Sequence, residues 1–90
     1  MNTPEAFVQL AQLFLPNYGE PWKNIDEMIA VNTMGRSLQM KRVSRQYLEQ
    51  ILSDGTTDKG LKEIWDNTSP IYWFGEDSIR VFLSKLRDVL

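Results

Sequence analysis

The chain has 90 residues and a mass of 10.5 kDa, which is the size of one small domain spanning residues 1–90. It contains no cysteine and no histidine, so disulfides, thiolate zinc sites and hydrolases built on a Ser-His-Asp or Cys-His arrangement are excluded. The net charge of −2 and the pI of about 5.0 argue weakly against nucleic-acid binding, because such domains are usually basic. Composition therefore favours a protein that is not an enzyme and needs no cofactor.

The chain carries no recognisable membrane or export signal. No apolar run approaches the roughly 18 residues that a membrane-spanning helix needs. Residues 1–5 lack the basic start and the continuous apolar stretch of a signal peptide. A soluble protein of the cytoplasm is the expectation.

The first predicted helix begins after Thr3, which can cap it, with Pro4 at the first helical position. Apolar residues then recur at the spacing of one helical face, at Phe7, Leu10, Ala11 and Phe14. Pro16 is expected to stop this helix near Leu15, because proline cannot continue the hydrogen-bond ladder.

Residues 16–23 contain two prolines and a glycine, which predicts a loop anchored by Tyr18 and Trp22. Asn24 can cap a short second helix that ends near Gly35, a suitable residue for a left-handed helix terminus. The apolar face of this helix is Ile25, Met28, Ile29 and Ala30.

A third and longest helix is predicted at residues 37–53, with Ser37 as its cap. Its apolar stripe is Met40, Val43, Tyr47, Leu48, Ile51 and Leu52. A turn at residues 54–56 leads to a fourth helix that starts at Thr57 or Asp58. The face of that helix is Leu61, Ile64 and Trp65, and Trp65 is expected in the core.

The fourth helix is expected to end at residues 67–70. Residues 71–74 form a short aromatic run that predicts an extended segment rather than a helix. Asp77 or Ser78 caps a last helix, whose stripe is Ile79, Phe82, Leu83, Leu86 and Leu90. Five amphipathic segments joined by short loops predict an all-α bundle of about five short helices, with one short extended segment near 70–74.

Charge is unevenly distributed along the chain. Residues 1–35 carry a net charge of −3, residues 36–45 carry +4, residues 46–79 carry −5 and the rest carries +2. The basic block contains Lys41, Arg42 and Arg45, which share one helical face because they lie three and four residues apart.

Two interpretations of the basic face stay open. Three or four cations could hold a few phosphates with weak, salt-sensitive affinity. The more ordinary interpretation is a solvated helix face in which Arg45 pairs with Glu49, four residues later.

The acidic block surrounds the aromatic run 71–74. Its spacing does not match a calcium loop, and so small a domain offers no glycosidase cleft, so solvated capping acids are the ordinary interpretation. The functional alternative is a protein-binding face, because aromatic residues dominate interface hot spots and an acidic rim steers a basic partner. The candidate contact residues are Trp22, Asp58, Asp66, Tyr72, Trp73, Glu76 and Asp77. The alternative contact surface is the basic face of Lys41, Arg42 and Arg45.

A resemblance to a known family is carried by YLEQIL at 47–52, LKEIW at 61–65, IYWF at 71–74 and IRVFLSKLR at 79–87. With this pattern most of the chain resembles the small helical immunity proteins of bacterial contact-dependent growth inhibition systems. The resemblance implies a cytoplasmic inhibitor, not an enzyme, that binds the C-terminal toxin domain of a large surface-delivered protein. It brings no catalytic residues, and no contact residues can be carried over because they differ between pairs.

The expected partner is therefore a cognate toxin domain, bound by a monomer in a one-to-one complex, with no nucleic acid and no membrane. Many such toxins are nucleases, whose basic sites an acidic aromatic patch could occupy. The alternatives are a small helical subunit that docks on a larger protein, and a DNA-binding antitoxin that uses residues 36–45.

Overall fold

The computed structural model describes residues 3–14, 25–70 and 74–90, and this part of the chain forms five α-helices and no strand. The helices are α1 (Glu5–Gln12), α2 (Ile25–Thr33), α3 (Leu38–Ser53), α4 (Asp58–Asp66) and α5 (Glu76–Val89). The predicted all-α class and number of helices are confirmed. The extended segment predicted near 70–74 falls largely on residues 71–73, which lie outside the described residues.

Side-chain caps and glycines mark the boundaries of α3 and α4 as predicted. The hydroxyl oxygens of Ser37 and Thr57 each accept a hydrogen bond of 3.1 Å from the backbone N–H three residues later. These bonds satisfy N–H groups that have no partner within the helix. Gly35 and Gly55, with φ of +78° and +73°, end α2 and α3, because glycine adopts the left-handed conformation without a steric penalty.

The predicted ends of α1 are wrong. Pro4, not Thr3, is the N-cap, and no side chain caps the helix; the Thr3 hydroxyl instead lies 3.2 Å from the Tyr47 hydroxyl. The helix ends at Gln12 rather than near residue 15. Its last turn tightens to a three-residue spacing, in which the Phe14 amide donates to Ala11 O at 3.3 Å, and Phe14 is fully buried.

The predicted cap of α5 is also wrong, because the helix begins earlier, with Gly75 as its N-cap. Asp77 and Ser78 lie in its first turn, and the amides of Ser78 and Ile79 already donate to Gly75 O at 3.2 and 3.0 Å. A Cβ on Gly75 would lie 2.9 Å from Asp77 Oδ1, so a larger residue here requires the exposed Asp77 side chain to move.

The centre of the core is a cluster of aromatic rings around the fully buried Trp65. Its ring centroid lies 5.0 Å from Phe82, 5.7 Å from Phe74, 5.9 Å from Phe14 and 6.2 Å from Phe7, each in an edge-to-face arrangement. Such pairs add about 0.5–1.5 kcal/mol each beyond the burial of their area. The prediction that Trp65 is a core residue is confirmed.

The apolar stripes of α3, α4 and α5 complete this core. The fully or nearly fully buried aliphatic residues are Leu10, Met28, Ile29, Leu48, Ile51, Leu61, Ile79, Leu83 and Leu86. Helix α5 packs against α2, α3 and α4, and α1 packs against α3. Ala30, predicted on the buried face of α2, is exposed, because that face turns through Asn32 and Thr33 instead.

Polar contacts hold the outer elements on this core. Gln12 Nε2 donates to Thr68 O at 3.0 Å, which joins the end of α1 to the segment after α4. Lys85 of α5 pairs with Asp26 of α2, with Nζ 2.9 Å from Oδ1. This pair is exposed, so it orients the two helices more than it stabilises them.

We expect Phe82→Ala to lower the free energy of unfolding by about 3–5 kcal/mol, because it removes a fully buried ring that contacts three others. Val81→Ala is the matched control on the exposed side of the same helix and should change it by less than about 0.5 kcal/mol. Urea unfolding followed by circular dichroism measures both. Equal losses in the two variants would contradict this core.

We expect Ser44→Ala to raise the free energy of unfolding by about 1 kcal/mol. The Ser44 hydroxyl is fully buried and has no hydrogen-bond partner, so alanine removes an unsatisfied polar group and is the better helix former. Ser53→Ala, at the exposed end of the same helix, is the control, because the Ser53 hydroxyl donates to Glu49 O. Thermal or urea unfolding should separate the two; a destabilised Ser44→Ala protein would refute the assignment.

Candidate functional site

The described acidic candidates lie at three helix ends. Asp58 is the first residue of α4, Asp66 is its last, and Glu76 and Asp77 form the first turn of α5. The aromatic candidates Trp22, Tyr72 and Trp73 lie outside the described residues.

Asp58 has a partner within the chain. Arg80 of α5 places Nε 2.7 Å from Asp58 Oδ1, and its Nη2 donates to Thr56 O at 2.5 Å. One guanidinium thus joins the start of α4 to α5. The charge of Asp58 is compensated, which makes this residue a weaker contact candidate than its position in the sequence suggests.

Asp66 is also paired and is turned inward. Lys62, four residues earlier on α4, places Nζ 2.5 Å from Asp66 Oδ2. The side chain of Asp66 is 25% exposed, and its Oδ1 is buried without a hydrogen-bond partner. A partner protein could reach little of this carboxylate.

Glu76 and Asp77 are exposed, and the described part of the chain gives neither of them an ion-pair partner. They lie at the positive end of the α5 dipole, which stabilises negative charge there. Pro70 and Phe74, the described residues on either side of 71–73, are both buried. These two carboxylates therefore follow the buried Phe74 by two and three residues, close in sequence to the aromatic candidates.

The basic face on α3 is partly occupied. Arg45 Nε lies 2.9 Å from Glu49 Oε1, which confirms the predicted pair, and Arg36 Nε donates to Asn32 O at 3.1 Å. Within residues 3–14, 25–70 and 74–90, Lys41 and Arg42 have no acidic partner within ion-pair distance. The face thus offers two cations, of which Arg42 is exposed and Lys41 half-buried.

Sequence reasoning missed three exposed apolar residues at the end of α2 and the start of α3. Met34 is 74% exposed, Leu38 is 78% exposed and Val31 is 50% exposed. We name these three residues, together with Lys41 and Arg42, the α2–α3 corner. Leu38 could have been found from the sequence, because it follows the cap and falls off the stripe that begins at Met40.

An open groove of about 390 Å³ separates α1 from the start of α3. Its lining residues are Glu5, Ala6, Gln9, Ser37, Gln39, Met40 and Val43. The groove mixes one carboxylate, two amides and apolar side chains, and it contains none of the predicted contact residues.

Within residues 3–14, 25–70 and 74–90, no group of three or more His, Cys, Asp or Glu residues is placed to hold a metal ion. No helix in those ranges combines the length and apolar character that crossing a membrane requires.

Comparison of the chain with protein-family models, with curated proteins and with solved structures found no match. The resemblance to immunity proteins therefore stays a prediction.

The ion pair between Asp58 and Arg80 is exposed on both sides, so we expect Asp58→Ala to cost less than about 1 kcal/mol of stability. Arg80→Ala should cost about 1–2 kcal/mol, because Thr56 O then loses its donor as well. Unfolding in low and high salt distinguishes the contribution of the ion pair from that of the hydrogen bond to Thr56 O. Salt screens the ion pair and leaves most of the hydrogen bond. Equal losses in both variants would mean that the contact to Thr56 contributes nothing.

Proposed function

We propose that this protein is an immunity protein that binds and neutralises a cognate toxin domain in the cytoplasm of the producing cell. The observation that carries the proposal is the pair of exposed carboxylates of Glu76 and Asp77 at the start of α5, which have no ion-pair partner within residues 3–14, 25–70 and 74–90. The resemblance of most of the chain to immunity proteins of contact-dependent growth inhibition systems supports the choice of partner.

The chemistry of this pair suits a basic protein surface. Nucleases hold phosphates with lysine and arginine, so two carboxylates on a rigid helix end can occupy the positions that phosphates would take. Opposite charge also steers the approach of the two proteins and raises the rate of association. Tyr72 and Trp73, which precede the pair in sequence, are of the residue types that contribute most to interface affinity.

Ion pairing within the described ranges separates the acidic candidates. The proposed direct contacts are Glu76 and Asp77, because no cation in those ranges compensates their charge. Asp58 is already paired with Arg80, and Asp66 is paired with Lys62 and mostly covered. Their replacement should therefore affect toxin binding less than replacement of the α5 pair.

The proposal is tested first by co-expression with the toxin domain encoded immediately upstream in the source genome. Rescued growth together with a one-to-one complex on a sizing column supports it. Duplex DNA serves as the control ligand, because the basic residues 36–45 are the predicted alternative surface. The absence of both rescue and complex would overturn the proposal.

We expect the double variant Glu76→Lys and Asp77→Lys to weaken toxin binding about 100-fold, mainly through slower association that depends strongly on salt. The control carries the same charge change at two other exposed acids, Asp54→Lys and Glu63→Lys, and should lose less than about tenfold. Surface plasmon resonance at two ionic strengths gives both rate constants.

Reversal at the start of α5 also costs about 0.3–1 kcal/mol per charge through the helix dipole, so folding is checked by circular dichroism. The neutral variant Glu76→Gln and Asp77→Asn perturbs the dipole less and should lie between wild type and the reversal. Unchanged affinity in both α5 variants would exclude this surface.

A further inference from the structure

We propose that the α2–α3 corner is a second binding surface, which takes an acidic segment of a partner protein that also carries apolar side chains. The inference concerns residues that the proposed toxin contact does not use, and it stands independently of that function. Its starting point is the exposed Leu38, which lies one turn before Lys41 and Arg42 on α3, two cations with no acidic partner in the described ranges.

The apolar part of the corner is unusual for so small a domain. The core residues of the domain are almost all fully buried, whereas Met34 and Leu38 are the two most exposed large apolar side chains in the described ranges. Val31 lies three residues before Met34, within the reach of one helical turn. Methionine is flexible and enriched in protein interfaces, so Met34 and the exposed Leu38 are suited to contact apolar side chains of a partner.

The charged part of the corner determines the sign of the charge that a partner must carry. Residues 36–45 contain four cations and no acid, but Arg36 and Arg45 are engaged within the chain. Lys41 and Arg42 follow Leu38 by three and four residues and therefore lie on its side of α3. An acidic segment that contacts Leu38 would meet both cations.

The small number of cations in the corner distinguishes between classes of partner. A nucleic acid gains affinity from several phosphate contacts, and this surface offers too few. Binding to an anionic membrane gains about 1 kcal/mol of free energy per cation near the surface. The net charge of −2 of the chain opposes such binding. A protein segment that combines carboxylates with apolar side chains uses both parts of the corner.

The test uses a fluorescein-labelled amphipathic peptide of about 18 residues, with glutamate and leucine at helical spacing. A second peptide carries lysine in place of every glutamate. Fluorescence anisotropy is measured with the full-length protein in about 50 mM and about 300 mM NaCl. We expect the acidic peptide to bind at least about tenfold more tightly than the basic one, and less tightly in high salt.

Variants then locate the site. The double variant Met34→Ser and Leu38→Ser should weaken binding of the acidic peptide by about fivefold or more. The double variant Lys41→Glu and Arg42→Glu should weaken it to a similar extent. The matched control is Val81→Ser with Val89→Ser, which removes two half-exposed valines from α5 and should leave binding unchanged. All replaced residues are at least partly exposed, and circular dichroism confirms the fold of each variant.

Several outcomes overturn the proposal. These are no binding up to about 200 µM protein, equal loss in the Val81 and Val89 control, or tighter binding of a duplex DNA of about 20 base pairs or of anionic vesicles. Self-association that Leu38→Ser abolishes, seen by sedimentation velocity, would make a second copy the occupant instead. Toxin rescue depends on another partner and other residues, so its result is separate from this one.

Discussion

The edge-to-face packing of four rings around Trp65 is the interaction on which the rest of the structure depends. Phe7 belongs to α1, and Phe14 follows the end of α1 by two residues. Phe74 belongs to the segment before α5, and Phe82 belongs to α5 itself. Because Phe74 is held against this cluster, Gly75 begins α5 immediately outside it. The same packing that stabilises the core therefore sets where the first turn of α5, with its two carboxylates, meets solvent.

Most of the fold follows from the sequence because each helix buries a face with a clear periodicity. Ser37 and Thr57 are recognisable caps, and their helices begin as the pattern indicates. The start of α5 does not follow from the sequence pattern, because Asp77 and Ser78 are residue types typical of helix caps but lie inside the helix. Burial of Phe74 fixes the start instead, and burial of a single side chain outside a periodic stripe is a tertiary property.

The candidate site was less predictable than the fold. The pair of Arg45 and Glu49 is local in sequence and could be foreseen, as could that of Lys62 and Asp66. The partner of Asp58 lies 22 residues away on another helix, so no local rule distinguishes its compensated charge from those of Glu76 and Asp77, which have no ion-pair partner in the described ranges. A count of acidic residues along the chain makes all of them equal candidates for a contact. The packing of α4 on α5 distinguishes them, because it pairs Asp58 with Arg80.

Helix α1 has eight residues, fewer than an isolated helix needs to be stable in water. It nevertheless contributes Phe7 to the packing around Trp65, and Phe14, two residues beyond its end, packs against both Trp65 and Phe82. Detachment of α1 would therefore remove ring contacts at the centre of the core, so opening of this helix costs more free energy than the fraying of a helix that packs only at the surface. In native-state hydrogen exchange we expect the α1 amides to be protected in spite of the shortness of the helix.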